Sequence, residues 1–146
     1  MTIIPVPQRF SFIHDVGSAA IYQGGLISFR YKLPPGALVS CAMEIEPSGF
    51  PDRERYWARM DDALPDENTL REAARAVSFL NTRLRRGTDC FVFCAEGLNR
   101  SSFVTVLTLR RFGFSSFDAI KLLRQNRHPT VLKNTDFENY LLSLDG

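Results

Sequence analysis

Cys90-Phe91-Val92-Phe93 puts apolar side chains on both alternating faces of an extended run, and aromatic and β-branched residues dominate it. Such a strand needs covering structure on each side, so it predicts the middle of a mainly parallel sheet flanked by helices. The surrounding pattern agrees with that requirement. Upstream, Leu70, Ala73, Ala74, Val77, Leu80 and Leu84 keep helical spacing, behind Thr69-Leu70-Arg71-Glu72 as a capping box and ahead of Gly87 as a helix stop. Downstream, residues 102–112, 116–127 and 135–144 carry helix periodicity, the last behind the box Thr135-Asp136-Phe137-Glu138. Short apolar runs at 10–13, 19–22, 37–43 and 56–60 read as further strands.

A chain of 146 residues can bury one good core and is short for two, so residues 1–146 are read as a single-domain α/β sandwich. Eighteen basic against sixteen acidic residues leave a net charge of +2, which makes no electrostatic case for a nucleic-acid or membrane partner. A small anionic substrate stays allowed. No apolar stretch approaches the roughly twenty residues of a membrane span, and the first nine residues lack the pattern of a signal peptide, so a cytoplasmic protein is expected. Three cysteines and two histidines without paired spacing predict no disulfide scaffold, no metal centre and no cofactor.

In open parallel sheets the functional site lies beyond the carboxyl ends of the strands. There the chain reads Cys94-Ala95-Glu96-Gly97-Leu98-Asn99-Arg100-Ser101. A loop curled between a buried strand and an apolar helix turns its backbone N–H groups inward as an anion nest, reinforced by the helix dipole. Gly97 supplies the backbone freedom for the curl, and Arg100 offers a planar fork to two phosphate oxygens. Cys94 in that field is placed to act as a nucleophile toward phosphorus. A Cys six places before an Arg is common by composition alone. The glycine, the hydroxyl after Arg100, the strand before and the helix after make the pattern specific.

Cys-x-x-x-x-x-Arg-Ser in this setting resembles the signature loop of the cysteine-dependent protein phosphatases, specifically the small dual-specificity group. Residues 19–26 are similar to the family's early strand and turn, and Arg127-His128-Pro129 through Asn134 and 137–141 resembles its closing segment. The resemblance implies a metal-free, cofactor-free transfer in two steps. Cys94 attacks phosphorus, a carboxylic acid protonates the leaving oxygen, and water then hydrolyses the cysteinyl phosphate. It implies a phosphorylated protein as partner, with phosphotyrosine and also phosphoserine or phosphothreonine as substrates. Ala95, Glu96, Gly97, Leu98, Asn99 and Arg100 would form the phosphate loop, and Ser101 would hydrogen-bond the Cys94 sulfur. Glu96 and Asn99 either brace the loop or touch substrate. Asn99 before Arg100 is similar to the loop of RNA 5′-triphosphatase members, which keeps an RNA 5′ end or a phosphoinositide in view as alternative substrates. A catalytically silent phosphate-binding pseudophosphatase is the non-enzyme alternative.

The acid is sought in Trp57-Ala58-Arg59-Met60-Asp61-Asp62-Ala63-Leu64-Pro65, which resembles the family's strand and Asp-bearing loop. Asp62, 32 positions before Cys94, follows the apolar alternation of Ala58 and Met60 and is favoured; Asp61, four places before Pro65, is the alternative. The sequence departs from the family at Phe93, where a histidine usually precedes the nucleophile. Cys41 ends a candidate strand as Cys94 does, and some family members keep a resolving cysteine there, so Cys41 reads either as a plain buried thiol or as the partner of Cys94 in a disulfide formed after peroxide. Cys90 lies roughly 13 Å from Cys94 along an extended strand and reads as core. His14 and His128 read as structural, and Arg83, Arg85 and Arg86 as a solvated helix end.

Overall fold

The computed structural model describes residues 4–146, and its topology follows from one buried strand. Residues 90–93 form β5 (Cys90–Phe93), which is buried along its whole length and sits third in a five-stranded sheet of order β1-β2-β5-β3-β4. The neighbours are β1 (Ser11–Val16), β2 (Ala19–Gly24), β3 (Ala37–Ser40) and β4 (Arg55–Trp57). β1 and β2 pair antiparallel, whereas β2, β5, β3 and β4 run parallel, so their carboxyl ends share one edge of the sheet. Helices α1 (Glu67–Arg85), α2 (Arg100–Arg110), α3 (Ser116–Asn126) and α4 (Thr135–Ser143) flank it.

Period-two alternation divides the core. Cys90 and Val92 join the large cluster to which all four helices contribute, including Leu80, Phe103, Leu123 and Phe137. Phe91 and Phe93 face the other way with Leu38, covered by Phe10, Tyr22, Phe29, Ile45 and Phe50. Phe29 comes from a short 3-10 helix, Leu26–Arg30, and meets Phe93 edge-on at 4.8 Å between ring centroids. The two-sided apolar run is thus explained by helices on one face and an aromatic roof on the other.

Several element ends differ from the sequence reading. α1 starts at Glu67 because Asp66 is its cap, with Oδ1 accepting the Thr69 N–H at 2.9 Å; Thr69 therefore lies inside the helix and no capping box forms there. α4 is likewise capped one residue early, by Asn134 accepting from the Phe137 N–H at 3.2 Å. α2 begins at Arg100, two residues before the predicted 102. β3 stops at Ser40, whose hydroxyl donates to the Ile45 carbonyl at 2.6 Å, and the chain turns away after Cys41, whose N–H still bonds β5. β4 ends at Trp57, so Ala58 and Met60 are buried beyond the strand. The α1 stop falls where expected. Gly87 at φ +87° closes a Schellman turn, with N–H bonds from Gly87 to the Leu84 carbonyl and from Thr88 to the Arg83 carbonyl. Among the described residues no helix is long and apolar enough to cross a membrane.

Candidate active site

β5 delivers Cys94 to the shared carboxyl edge, where it is 3 % exposed. Residues 95–99 then curl back into the N-terminus of α2. None of the backbone N–H groups from Ala95 to Asn99 meets an acceptor among the described residues, which leaves a row of free donors at a helix N-terminus. The Cys94 Sγ lies 3.2 Å from the Ser101 Oγ in the first turn of α2.

The curl is held by close backbone passage. The Leu26 N–H donates to the Ala95 carbonyl at 2.9 Å and the Cys94 N–H to the Gly24 carbonyl at 3.3 Å. Gly97 adopts φ +73°, and a Cβ there would stand 2.5 Å from the Gly24 carbonyl carbon and 2.7 Å from the Arg127 Nη2. Gly25 is as tight, because a Cβ on it would come within 2.8 Å of the Ala95 carbonyl oxygen.

Two buried polar side chains brace the loop from beneath. Gln23, at the carboxyl end of β2, donates its Nε2 to the Gly97 carbonyl at 3.1 Å and to the Ser102 hydroxyl at 2.7 Å. Arg127 donates to the Gly97 carbonyl at 3.2 Å, the Glu96 carbonyl at 3.0 Å, the Arg9 carbonyl and the Ser11 hydroxyl. Its partners are all neutral oxygens, and burial pushes its pKa down while the nearby Cys94 opposes that push. Leu132, at φ +60°, donates its N–H to the Leu98 carbonyl at 2.9 Å, so a strained residue also pins the loop. Glu96 is exposed and pairs its carboxylate with Lys133. His128 bonds Thr130 and the Ile4 carbonyl, and His14 stacks edge-on with Phe114.

Arg100 is 7 % exposed, and its Nη1 and Nη2 bind the two Glu44 carboxylate oxygens at 2.6 and 3.0 Å. Its Nη1 also donates to the Met60 carbonyl at 3.1 Å. Burial works against the guanidinium charge, but the Glu44 hydrogen bond and the charges of Cys94, Glu44 and Asp62 outweigh it, leaving Arg100 above its ordinary range. The same hydrogen bond holds the Glu44 carboxyl below the usual carboxylate range against a smaller opposing burial effect. Glu44 was absent from the sequence-predicted set, as were Gln23 and the loop-bracing role of Arg127.

Met60 anchors the loop that carries both candidate acids. Its carbonyl receives Arg100 and the Met43 N–H, and the chain then emerges to solvent at Asp61 and Asp62. Asp61, Asp62, Glu44 and Arg100 line one open cavity of about 380 Å³. Asp62 accepts from the Asn99 Nδ2 and the Asn134 Nδ2, each at 2.8 Å, whereas Asp61 makes no side-chain hydrogen bond among the described residues. Cys41 lies one residue beyond the β3–β5 register and donates its N–H to the Phe93 carbonyl at 2.8 Å. Burial raises its thiol pKa well above the ordinary value; the nearby Cys94 adds to this and Arg100 opposes it. Burial also pushes the Cys90 thiol up to about 12.

The family model for the dual specificity phosphatase catalytic domain matches residues 32–145. Among solved structures, human DUSP28 is similar over 97 % of this chain and 95 % of its own, at 17 % identity and TM-score 0.79. OH1 from the Orf virus, a tyrosine phosphatase, is similar over 95 % of this chain and 87 % of its own, at 16 % identity and TM-score 0.69. Tk-PTP in its active form is similar over 92 % and 96 %, at 17 % identity and TM-score 0.67. No curated protein matches the sequence.

Proposed function

The chain belongs to the dual specificity phosphatase catalytic-domain family, and on that premise we propose that it hydrolyses phosphotyrosine, together with phosphoserine or phosphothreonine, in proteins through a cysteinyl phosphate on Cys94. The observation that carries this reading is the row of unpartnered N–H groups from Ala95 to Asn99, with Cys94 at one end and Arg100 at the other. A tetrahedral phosphate dianion complements such a cradle.

In the first step the Cys94 sulfur bonds to phosphorus and the ester P–O bond breaks, while Asp62 transfers its proton to the departing oxygen. In the second, water attacks phosphorus and gives a proton to Asp62, and the P–S bond breaks to release inorganic phosphate. The Ser101 hydroxyl, 3.2 Å from the sulfur, donates to it as it departs. Asp62 is assigned ahead of Asp61 because its carboxyl is held by Asn99, a residue of the phosphate loop itself. Cys41 is assigned as a resolving cysteine for an oxidised Cys94.

Glu44, Asp61 and Asp62 line the cavity together with Arg100 and make its wall acidic. Those carboxylates repel the extra phosphates of an RNA 5′-triphosphate or a phosphoinositide and favour a substrate that carries a single phosphate group. The test is hydrolysis of an aryl phosphate in chelator by wild type and Cys94→Ser. Turnover that survives chelator and vanishes in the variant is the expected result. A folded wild type without turnover on aryl phosphate or phosphopeptides would leave a phosphate-binding protein instead.

A further inference from the structure

The geometry points to Asn99 as the residue that positions the proton donor over the phosphate loop, an inference that rests on the phosphatase reading and on Asp62 as its acid. Asn99 occupies the N-cap of α2, where an asparagine ordinarily turns its side-chain oxygen onto a first-turn N–H. Here that bond is missing. The Asn99 Oδ1 instead accepts the Asn134 backbone N–H at 3.0 Å, and its Nδ2 donates to the Asp62 Oδ2 at 2.8 Å. The helix therefore starts without the side-chain cap its own residue could supply, and the amide is committed to the acid loop.

The Asp62 carboxyl is gripped from two sides. Asn134 donates its Nδ2 to the Asp62 Oδ1 at 2.8 Å and to the Ala63 carbonyl at 2.9 Å, while Asn99 holds the other carboxyl oxygen. A carboxylate has about four lone-pair sites. Two amides occupy two of them, so a proton on a remaining lone pair leaves both amide bonds intact. The carboxyl plane is thus fixed in the ionised and the protonated form alike, which is what an acid needs to meet a leaving oxygen in one orientation. Only one of the two amides can refer that orientation to the phosphate. Asn134 lies in the segment that enters α4, whereas Asn99 is buried, 6 % exposed, and immediately precedes Arg100. The exposed acid loop is positioned by a buried residue of the cradle.

The test uses aryl phosphates spanning good to poor leaving groups, with kcat and KM measured for wild type, Asp62→Ala, Asn99→Ala, Asn99→Asp and the double variant Asp62→Ala/Asn99→Ala. Asn99→Asp keeps the oxygen that accepts from Asn134 and replaces the donor to Asp62 by a repelling carboxylate, so it preserves the fold if alanine does not. The expectation is that both Asn99 variants lose kcat about ten- to hundredfold on the poorest leaving groups and several-fold or less on the best, with KM little changed. In the Asp62→Ala background the Asn99 change should add less than about twofold. Equal losses for every ester, or full additivity with Asp62→Ala, would make Asn99 a structural residue and overturn the inference alone. An Asp62→Ala variant without leaving-group dependence would overturn the acid assignment and the inference with it.

Discussion

Arg100 has five N–H donors, and the described residues engage three of them. Nη1 and Nη2 each give one to Glu44, and the second Nη1 hydrogen goes to the Met60 carbonyl. The remaining pair, Nε–H and the outer Nη2–H, point the same way and form the side-on fork that suits two phosphate oxygens. Glu44 therefore aims the fork. Replacing it by glutamine removes the charge and one acceptor, and KM for an aryl phosphate should rise about five- to tenfold with kcat changed much less. The pH dependence has a definite sign. Because the Glu44 pKa is depressed, its contribution is present above the ordinary glutamate value of 4.5 and is lost as pH falls through the depressed value. The wild type and Glu44→Gln should thus differ in thermal midpoint at neutral pH and converge well below 4.5; a difference that grows on acidification contradicts the pairing. Cys94, Arg100 and Ser101 were legible in the sequence because they fall within eight consecutive residues. Glu44 and Gln23 were not, since they reach that loop across 56 and 74 positions and only the sheet brings them there. For Gln23 the available signal was a lone amide at the end of an otherwise apolar strand.

At the level of elements, the β5-loop-α2 unit depends on glycine more than on any side chain. Gly97 combines a left-handed φ with a backbone approach that no Cβ can enter. Gly97→Ala should therefore cost about 2–4 kcal/mol of unfolding free energy, the sum of a disfavoured conformation and an overlap with Gly24 that must be relieved by moving the loop. Chemical denaturation checks this, and a loss below about 0.5 kcal/mol would mean that the loop is not braced as described. Helix existence was readable from periodicity, but α2 begins two residues early and the caps of α1 and α4 were misplaced. The Thr69 and Thr135 boxes fit the capping pattern, yet Asp66 and Asn134 stand closer to the point where the chain can turn, and their side-chain oxygens take the bonds first. Pattern alone does not rank two nearby capping residues when both are good caps.

Across the whole molecule, the crossover that places β3 beside β5 sets Cys41 next to Cys94, though they stand 53 positions apart in the chain. Adjacent strands lie about 4.8 Å apart, inside the Cα range that a disulfide accepts. The raised Cys41 pKa keeps that thiol neutral at pH 7, so peroxide should oxidise Cys94 first to a sulfenic acid, which then condenses with the Cys41 thiol and releases water. Peptide mass mapping after mild peroxide should find the Cys41–Cys94 crosslink and recovery of activity with dithiothreitol. Over-oxidised Cys94 with free Cys41 would refute it. The sheet order was readable only in its centre, because a two-sided apolar run specifies burial but leaves the choice of neighbours to the crossovers.

The most direct measurement is the mass of the intact protein, acid-quenched during turnover of a phosphotyrosine peptide. One added phosphoryl group, localised by digestion to the Cys94 peptide and absent from Cys94→Ser, is the predicted result. Turnover with no phosphorylated enzyme, or with the group on any other residue, would contradict the assignment of Cys94 as the nucleophile.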